Sequence, residues 1–323
     1  MSFPITRPRR LRRSQALRDM VAEFSLSTDD LMYPIFVVHG SKVKKEIPSM
    51  PNQYHWSVDR LDELVEQVVQ ADIKSLMIFG VPKTKDLLST ENYDANGITQ
   101  QAIRKIKELA PELVVATDVC MCSFTPHGHC GILNENESVD NDKTLEILQK
   151  KAVSNAQAGA DIVAPSGMMD GMIIAMREAL DSANFQDIAI MSYSVKYASA
   201  YYGPFRSACD SSLKGDRKTY QMDYRNKKEA IREAIEDVEQ GADFIMVKPA
   251  LSYLDIINEL SHVIDLPIAA YHVSGEYAMI KAASKAGLVD EKAITIETLT
   301  SMKRAGAKVI LTYTALDVAG WLK

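Results

Sequence analysis

The stretch DVCMCSFTPHGHCGIL, residues 118–133, gathers three of the chain's four cysteines and two of its six histidines. In an extended strand alternate side chains share a face, so Asp118, Cys120 and Cys122 point the same way. The turn SFTPHGH that follows can fold Cys130 back onto them. Thiolate sulfur is a soft ligand suited to Zn²⁺, and three protein ligands leave one position for water or substrate, as in catalytic sites. A nearby histidine can still be a fourth ligand, with His129 the first candidate. The competing readings are buried, unliganded cysteines beside a turn, or a disulfide.

Two lysines come next. Lys196 in SYSVKYAS and Lys248 in FIMVKPAL each end a hydrophobic run, and lysine is seldom buried without a reason. On adjacent parallel strands, about 5 Å apart, the two amines sit side by side. Apolar surroundings and a second cation both lower an amine's pKa. An unprotonated lysine attacks ketones to form a Schiff base. The alternative is that each lysine snorkels from a barrel rim or pairs with a carboxylate.

The segment GPFRSACDSSLKGDRKTYQMDYR, residues 203–225, supplies Arg206, Arg217 and Gln221, groups suited to holding a carboxylate by forked or charge-assisted hydrogen bonds. It reads as a lid over the cavity, or else as a surface loop with solvated charges. Cys209, far in sequence from the other three, reads as incidental.

The elements that must position these groups follow a regular beat. Apolar, β-branched runs recur at 31–38, 75–81, 112–120, 160–166, 188–196, 242–249, 266–273 and 308–315. Segments of helical periodicity lie between them, with Gly159, Gly241, Gly287 and Gly306 as stop signals. Strands buried on both faces and separated by helices pair in parallel, and eight such units predict a (β/α)₈ TIM barrel rather than an open doubly wound sheet. Chemistry on that fold gathers at strand C-termini, where Cys120, Cys122, Lys196, Lys248, Ser274 and Tyr313 fall. No GxGxxG or GxxxxGK[ST] follows any strand, which removes the main signals for a nucleotide site. Residues 1–30 read as an extended N-terminal arm and 31–323 as the barrel domain.

Composition narrows the class. At 323 residues, 46% hydrophobic and 25% charged, the chain is ordinary for a soluble globular enzyme. Its net charge of −6 has the wrong sign for a chain built to hold nucleic acid. The leader MSFPITRPRRLRRSQ is basic without a secretory apolar stretch, and no segment approaches the roughly 20 apolar residues of a membrane span. A cytoplasmic location is expected.

Together, DVCMCSFTPHGHCG, SYSVKYASAYYGPFR, GADFIMVKPALSYLD and YHVSGEY closely resemble the zinc-dependent porphobilinogen synthases, also called 5-aminolaevulinate dehydratases. The likeness runs from RPRRLRR to LTYTA, essentially the whole chain. It implies condensation of two 5-aminolaevulinate molecules to porphobilinogen, with loss of two waters. It assigns the first substrate's Schiff base to Lys248 and the second substrate to Lys196. Ser274 and Tyr313 match groups on the first carboxylate, Arg206, Arg217 and Gln221 the clamp on the second, and Phe205 and Tyr271 the lining of the first pocket. Cys120, Cys122 and Cys130 match the zinc ligands, and Glu233 the position of an activating Mg²⁺. Asp118 is a candidate for proton transfer. The resemblance also implies homo-octamers assembled through the arm. A class I aldolase, which needs one lysine and no metal, and a non-catalytic zinc or nucleic-acid module are the competing functions.

Overall fold

Each of the eight apolar runs forms a strand, and the strands close on themselves. The computed structural model describes residues 5–213 and 215–323. Its strands are β1 (Leu31–Val38), β2 (Lys44–Glu46), β3 (Tyr54–Ser57), β4 (Ser75–Val81), β5 (Val114–Val119), β6 (Ile162–Pro165), β7 (Ala189–Lys196), β8 (Phe244–Lys248), β9 (Ile268–His272) and β10 (Val309–Thr312). Parallel pairing runs from β1 to β4 and then in chain order to β10, which returns to β1 through Leu31 opposite Ile310. The result is the predicted (β/α)₈ barrel. The two further strands, β2 and β3, form an antiparallel hairpin beside the C-terminal end of β1.

The hydrophobic pattern explains why the sheet closes. Met32 and Phe36, Met77 and Phe79, Met191 and Tyr193, Leu311 and Tyr313 alternate into the barrel. Their neighbours, such as Tyr33, Ile35, Ile78 and Val115, face the helices. A helix covers that outer face by presenting one apolar stripe, as Leu61–Gln70 does with Leu61, Leu64, Val65 and Val68. Each such branched side chain contributes about 1.5–3 kcal/mol on burial. Helices stop where glycine permits a left-handed backbone: Gly306 caps Glu291–Ala305 with φ 122°.

Residues 5–30 pack differently. The turn Pro8–Arg12 and the helix Gln15–Met20 bury no residue, and Ile5, Leu11, Met20 and Phe24 are exposed. The barrel proper begins where buried Asp30 accepts a hydrogen bond from Lys303. Among the described residues, no helix is long and apolar enough to cross a membrane.

Candidate active site

Lys196 and Lys248 are paired residues of one parallel ladder, at the C-terminal ends of β7 and β8. Strict alternation from Met191 and Tyr193 would send Val195 inward and Lys196 out. A register shift between Ser192 and Val195 corrects this, so that Val195 joins the outer core and Lys196 pairs with Lys248. Re-aiming a side chain is a common use of an irregularity beside a functional site. The two lysines are only 4% and 5% exposed. Lys196 Nζ donates to the Ser166 carbonyl at 2.5 Å. Lys248 Nζ lies 4.2 Å from the ring centre of Tyr271 and 5.1–5.2 Å from those of Tyr193, Phe205 and Tyr202. Burial in this aromatic cage, reinforced by the neighbouring charge of Lys196, pulls the Lys248 amine down to about 7.

The cysteines converge as expected, though by a different local route. Strand β5 ends at Val119, so Cys120 and Cys122 belong to the turn beyond it rather than to an alternating strand face. The turn closes with Phe124 and Thr125 donating their N–H groups to the Met121 carbonyl, and Gly128 at φ 72° sends the chain back to Cys130. The three Sγ atoms lie within 4.8 Å of one another, all buried and none in a disulfide. Hydrogen bonds from Cys120 and Cys130, then the charges of Arg217 and Lys196, hold the Cys122 thiol well below its usual range. Three convergent, buried sulfurs, one already biased toward thiolate, fit a thiophilic metal ion. His129 is outside this donor set: its Nδ1 meets the Tyr220 hydroxyl at 3.1 Å.

Asp118, on β5, accepts a 2.6 Å hydrogen bond from Ser166, whose carbonyl holds Lys196, and feels the charges of both Cys122 and Lys196. Burial raises its pKa, against the opposing charge of Lys151. Cys209 is less isolated than its sequence position suggests. It is 2% exposed and packs with the inner barrel core, and burial, then the neighbouring Cys122, push its thiol up.

Of segment 203–225, all residues but Lys214 are described. Its first part is the short helix Gly203–Ala208. Its later part is tied to the end of β7, where Met222 donates to the Lys196 carbonyl and receives from Ala198 N–H. Arg217 reaches the Gly128 carbonyl at 2.7 Å. Close approach is possible because Gly128 lacks a side chain; a Cβ there would stand 2.7 Å from the Leu213 nitrogen. Among the described residues, the Nε of Arg217 and the Nε2 of Gln221 are buried without hydrogen-bond partners. Arg206 lies near Arg217, which depresses its pKa after burial does. Buried donors left unpaired are costly, and these two, with the Arg206 guanidinium near that of Arg217, suit an incoming carboxylate.

On the opposite side, Ser274 Oγ accepts from Phe205 N–H at 3.0 Å. The hydroxyls of Tyr271 and Tyr313 are 2.8 Å apart. The structure thus brings Phe205, Tyr271, Ser274 and Tyr313 together near Lys248, and Arg217 close to the cysteines, with Gln221 one turn on from Arg217 through its N–H to the Arg217 carbonyl. Glu233 is elsewhere, half-buried on the helix Lys228–Glu239 and lining an outer cleft of about 390 Å³ with Asp170, Asp223 and Glu229. Burial and then Asp237 raise its carboxyl to about 7. Among the described residues, these acids do not converge as closely as the cysteines do.

Sequence reasoning missed Lys151, Asn92 and Tyr193. Lys151 carried a readable signal, since it occupies the stripe of Thr144, Ile147, Leu148 and Asn155 that its helix, Asn141–Gln157, buries.

The comparisons agree with this geometry. The sequence matches the family described as delta-aminolevulinic acid dehydratase over residues 5–321. It is 57% identical to the delta-aminolevulinic acid dehydratase of Halalkalibacterium halodurans, covering 98% of this chain and 96% of that one. Against the Bacillus subtilis protein of the same name, identity is 53% over 100% and 99%. A crystal structure of the Toxoplasma gondii delta-aminolevulinic acid dehydratase (porphobilinogen synthase), in complex with the reaction product porphobilinogen, superposes with a TM-score of 0.95. That match has 43% identity and covers 98% of this chain and 91% of the other. The chain belongs to the delta-aminolevulinic acid dehydratase family.

Proposed function

We propose that this chain joins two molecules of 5-aminolaevulinate into porphobilinogen with loss of two waters, using Schiff bases at Lys248 and Lys196 and zinc on Cys120, Cys122 and Cys130. The observation that carries the reading is the in-register Lys196–Lys248 pair beside a trio of buried cysteines. A class I aldolase needs neither the second lysine nor the sulfurs. A nucleic-acid module needs neither lysine.

Lys248, with its amine near 7, has a substantial neutral fraction at neutral pH. Its Nζ attacks the ketone carbon of one substrate, the carbinolamine hydroxyl takes a proton and leaves as water, and the protonated imine acidifies the adjacent carbon. Lys196 engages the ketone of the second substrate in the same way. Ring closure releases both lysines as amines, so both ketone oxygens depart as water. Asp118, hydrogen-bonded to Ser166 beside Lys196, is the proton carrier of this reading. Zinc, when held by the cysteines, supplies a Lewis acid that polarises a substrate oxygen or nitrogen. Arg206, Arg217 and Gln221 hold the second substrate's carboxylate; Ser274 and Tyr313 hold the first's, with Phe205 and Tyr271 lining its pocket.

The exposed apolar residues of the arm support its use in a homo-octamer. The acidic lining of the cleft at Glu233 supports a site where an activating Mg²⁺ would bind. A cytoplasmic, non-membrane setting completes the reading. Colorimetric detection of porphobilinogen from purified protein and 5-aminolaevulinate tests it, before and after zinc removal and return. No product with zinc present overturns the activity; product unaffected by thorough zinc removal overturns the metal assignment alone.

A further inference from the structure

Behind the cysteine turn lies a cation that the reaction outlined above does not use. Lys151 is 2% exposed, on the inward stripe of Asn141–Gln157. Its Nζ donates to the Cys120 carbonyl at 3.1 Å and stands 4.9 Å from the ring centre of Phe124. The same carbonyl receives Asn92 Nδ2 at 3.0 Å. Two donors from separate elements therefore fix the peptide at which the chain leaves β5 and begins the turn. No carboxylate lies within ion-pair distance of Lys151 among the described residues. A carbonyl and an aromatic face recover only part of what desolvating an ammonium costs. The groups whose negative charge reaches it are Asp118, Cys120, Cys122 and Cys209.

Three thiolates around a divalent ion carry one net negative charge in a buried site, with the Asp118 carboxyl close by. That charge needs a counterion as much as Lys151 does. Lys196 and Lys248 flank the cavity side, where substrate must enter, whereas Lys151 approaches from the helix side and is sealed from it. We propose that Lys151 is a positioning residue for the metal site: it anchors the Cys120 peptide and supplies the fixed positive charge that offsets the thiolate-bound metal. Buried cation and anionic metal cluster stabilise each other, so metal affinity and the burial of Lys151 are linked.

The inference rests on the reading of the cysteine trio as a zinc site, and the test separates the two. Zinc affinity is measured by competition with a chromophoric chelator for the parent, Cys122→Ser, Lys151→Gln and Lys151→Arg, each checked for fold by circular dichroism. A parent whose binding is unchanged by Cys122→Ser overturns the site itself. With the site established, Lys151→Gln keeps an N–H donor without the charge and is expected to weaken zinc about 10- to 100-fold, the usual cost of losing a supporting partner of a metal ligand. Lys151→Arg keeps the charge and is expected to restore most of that loss. Parent-like affinity in Lys151→Gln overturns the proposal, and so does Lys151→Arg as weak as the glutamine variant, which would leave packing as the only role. Should Lys151→Gln fail to fold, Asn92→Asp sets a carboxylate beside the same carbonyl and neutralises the ammonium in place. It is expected to weaken zinc by a similar factor, and unchanged affinity there overturns the proposal equally.

Discussion

Lys196 and Lys248 occupy facing positions on neighbouring strands, whereas Cys120, Cys122 and Cys130 are brought together by a turn that begins one residue after β5 ends. The lysine pair inherits its geometry from the β7–β8 ladder, in which Lys196 and Lys248 are direct partners. The cysteine trio depends on local supports: Gly128 with its positive φ, two donors on the Cys120 carbonyl, and the Tyr220 hydroxyl near Cys130 N–H. A strand ladder fixes backbone positions before any ligand arrives. A turn lined by like groups is completed by what it binds, because converging thiolates repel until a cation joins them. Lysine substitutions should therefore change the chemistry while leaving the barrel intact. Changes in the turn should act first on metal retention.

The largest effect expected is that of Lys248→Ala, which removes the nucleophile without disturbing the ladder. Turnover should fall about 10⁴-fold or more with the melting temperature little changed, read by porphobilinogen formation and thermal unfolding. A loss of fold on this substitution would break the contrast between ladder and turn. Cys122→Ser comes next: activity should drop about 10²- to 10³-fold, and the bound zinc seen by elemental analysis should disappear. Gly128→Ala probes the turn without touching a ligand. A Cβ at φ 72° and 2.7 Å from the Leu213 nitrogen should cost about 1–3 kcal/mol, read as weaker zinc retention with the amine chemistry of Lys248 preserved. The smallest effect is in pH. Because the Lys248 amine is pulled down to about 7 and only its neutral form attacks, activity should fall on the acid side. Between pH 7 and pH 6 kcat/KM should decrease about fivefold, and a limb displaced to the ordinary lysine range would contradict the burial argument.

Much of this contrast was legible in the sequence. Eight apolar runs became the eight barrel strands because each is buried on both faces, so continuous hydrophobicity marks them as parallel and interior. The short hairpin β2–β3 was not legible, since KKE in β2 is exposed on every residue and carries no pattern. The irregularity before Val195 is likewise silent. It moves Lys196 from the outer to the inner face, an outcome set by pairing with β8 rather than by local preference. Residue type alone announced the cysteines, but a turn rather than strand alternation gathers them. Lys151 was legible by position and not by residue type: it falls on the stripe of Thr144, Ile147, Leu148 and Asn155, but a lysine in an amphipathic helix is ordinarily read as part of the solvated face.

The central claim, that Lys248 is the covalent anchor in a cavity shared with the sulfurs, is tested most directly by trapping. Protein incubated with 5-aminolaevulinate and reduced with borohydride is digested and mapped by mass spectrometry. The account predicts a substrate-derived adduct on the peptide bearing Lys248, lost in Lys248→Ala. Active enzyme that yields its adduct on another lysine, or no adduct at all, would contradict it.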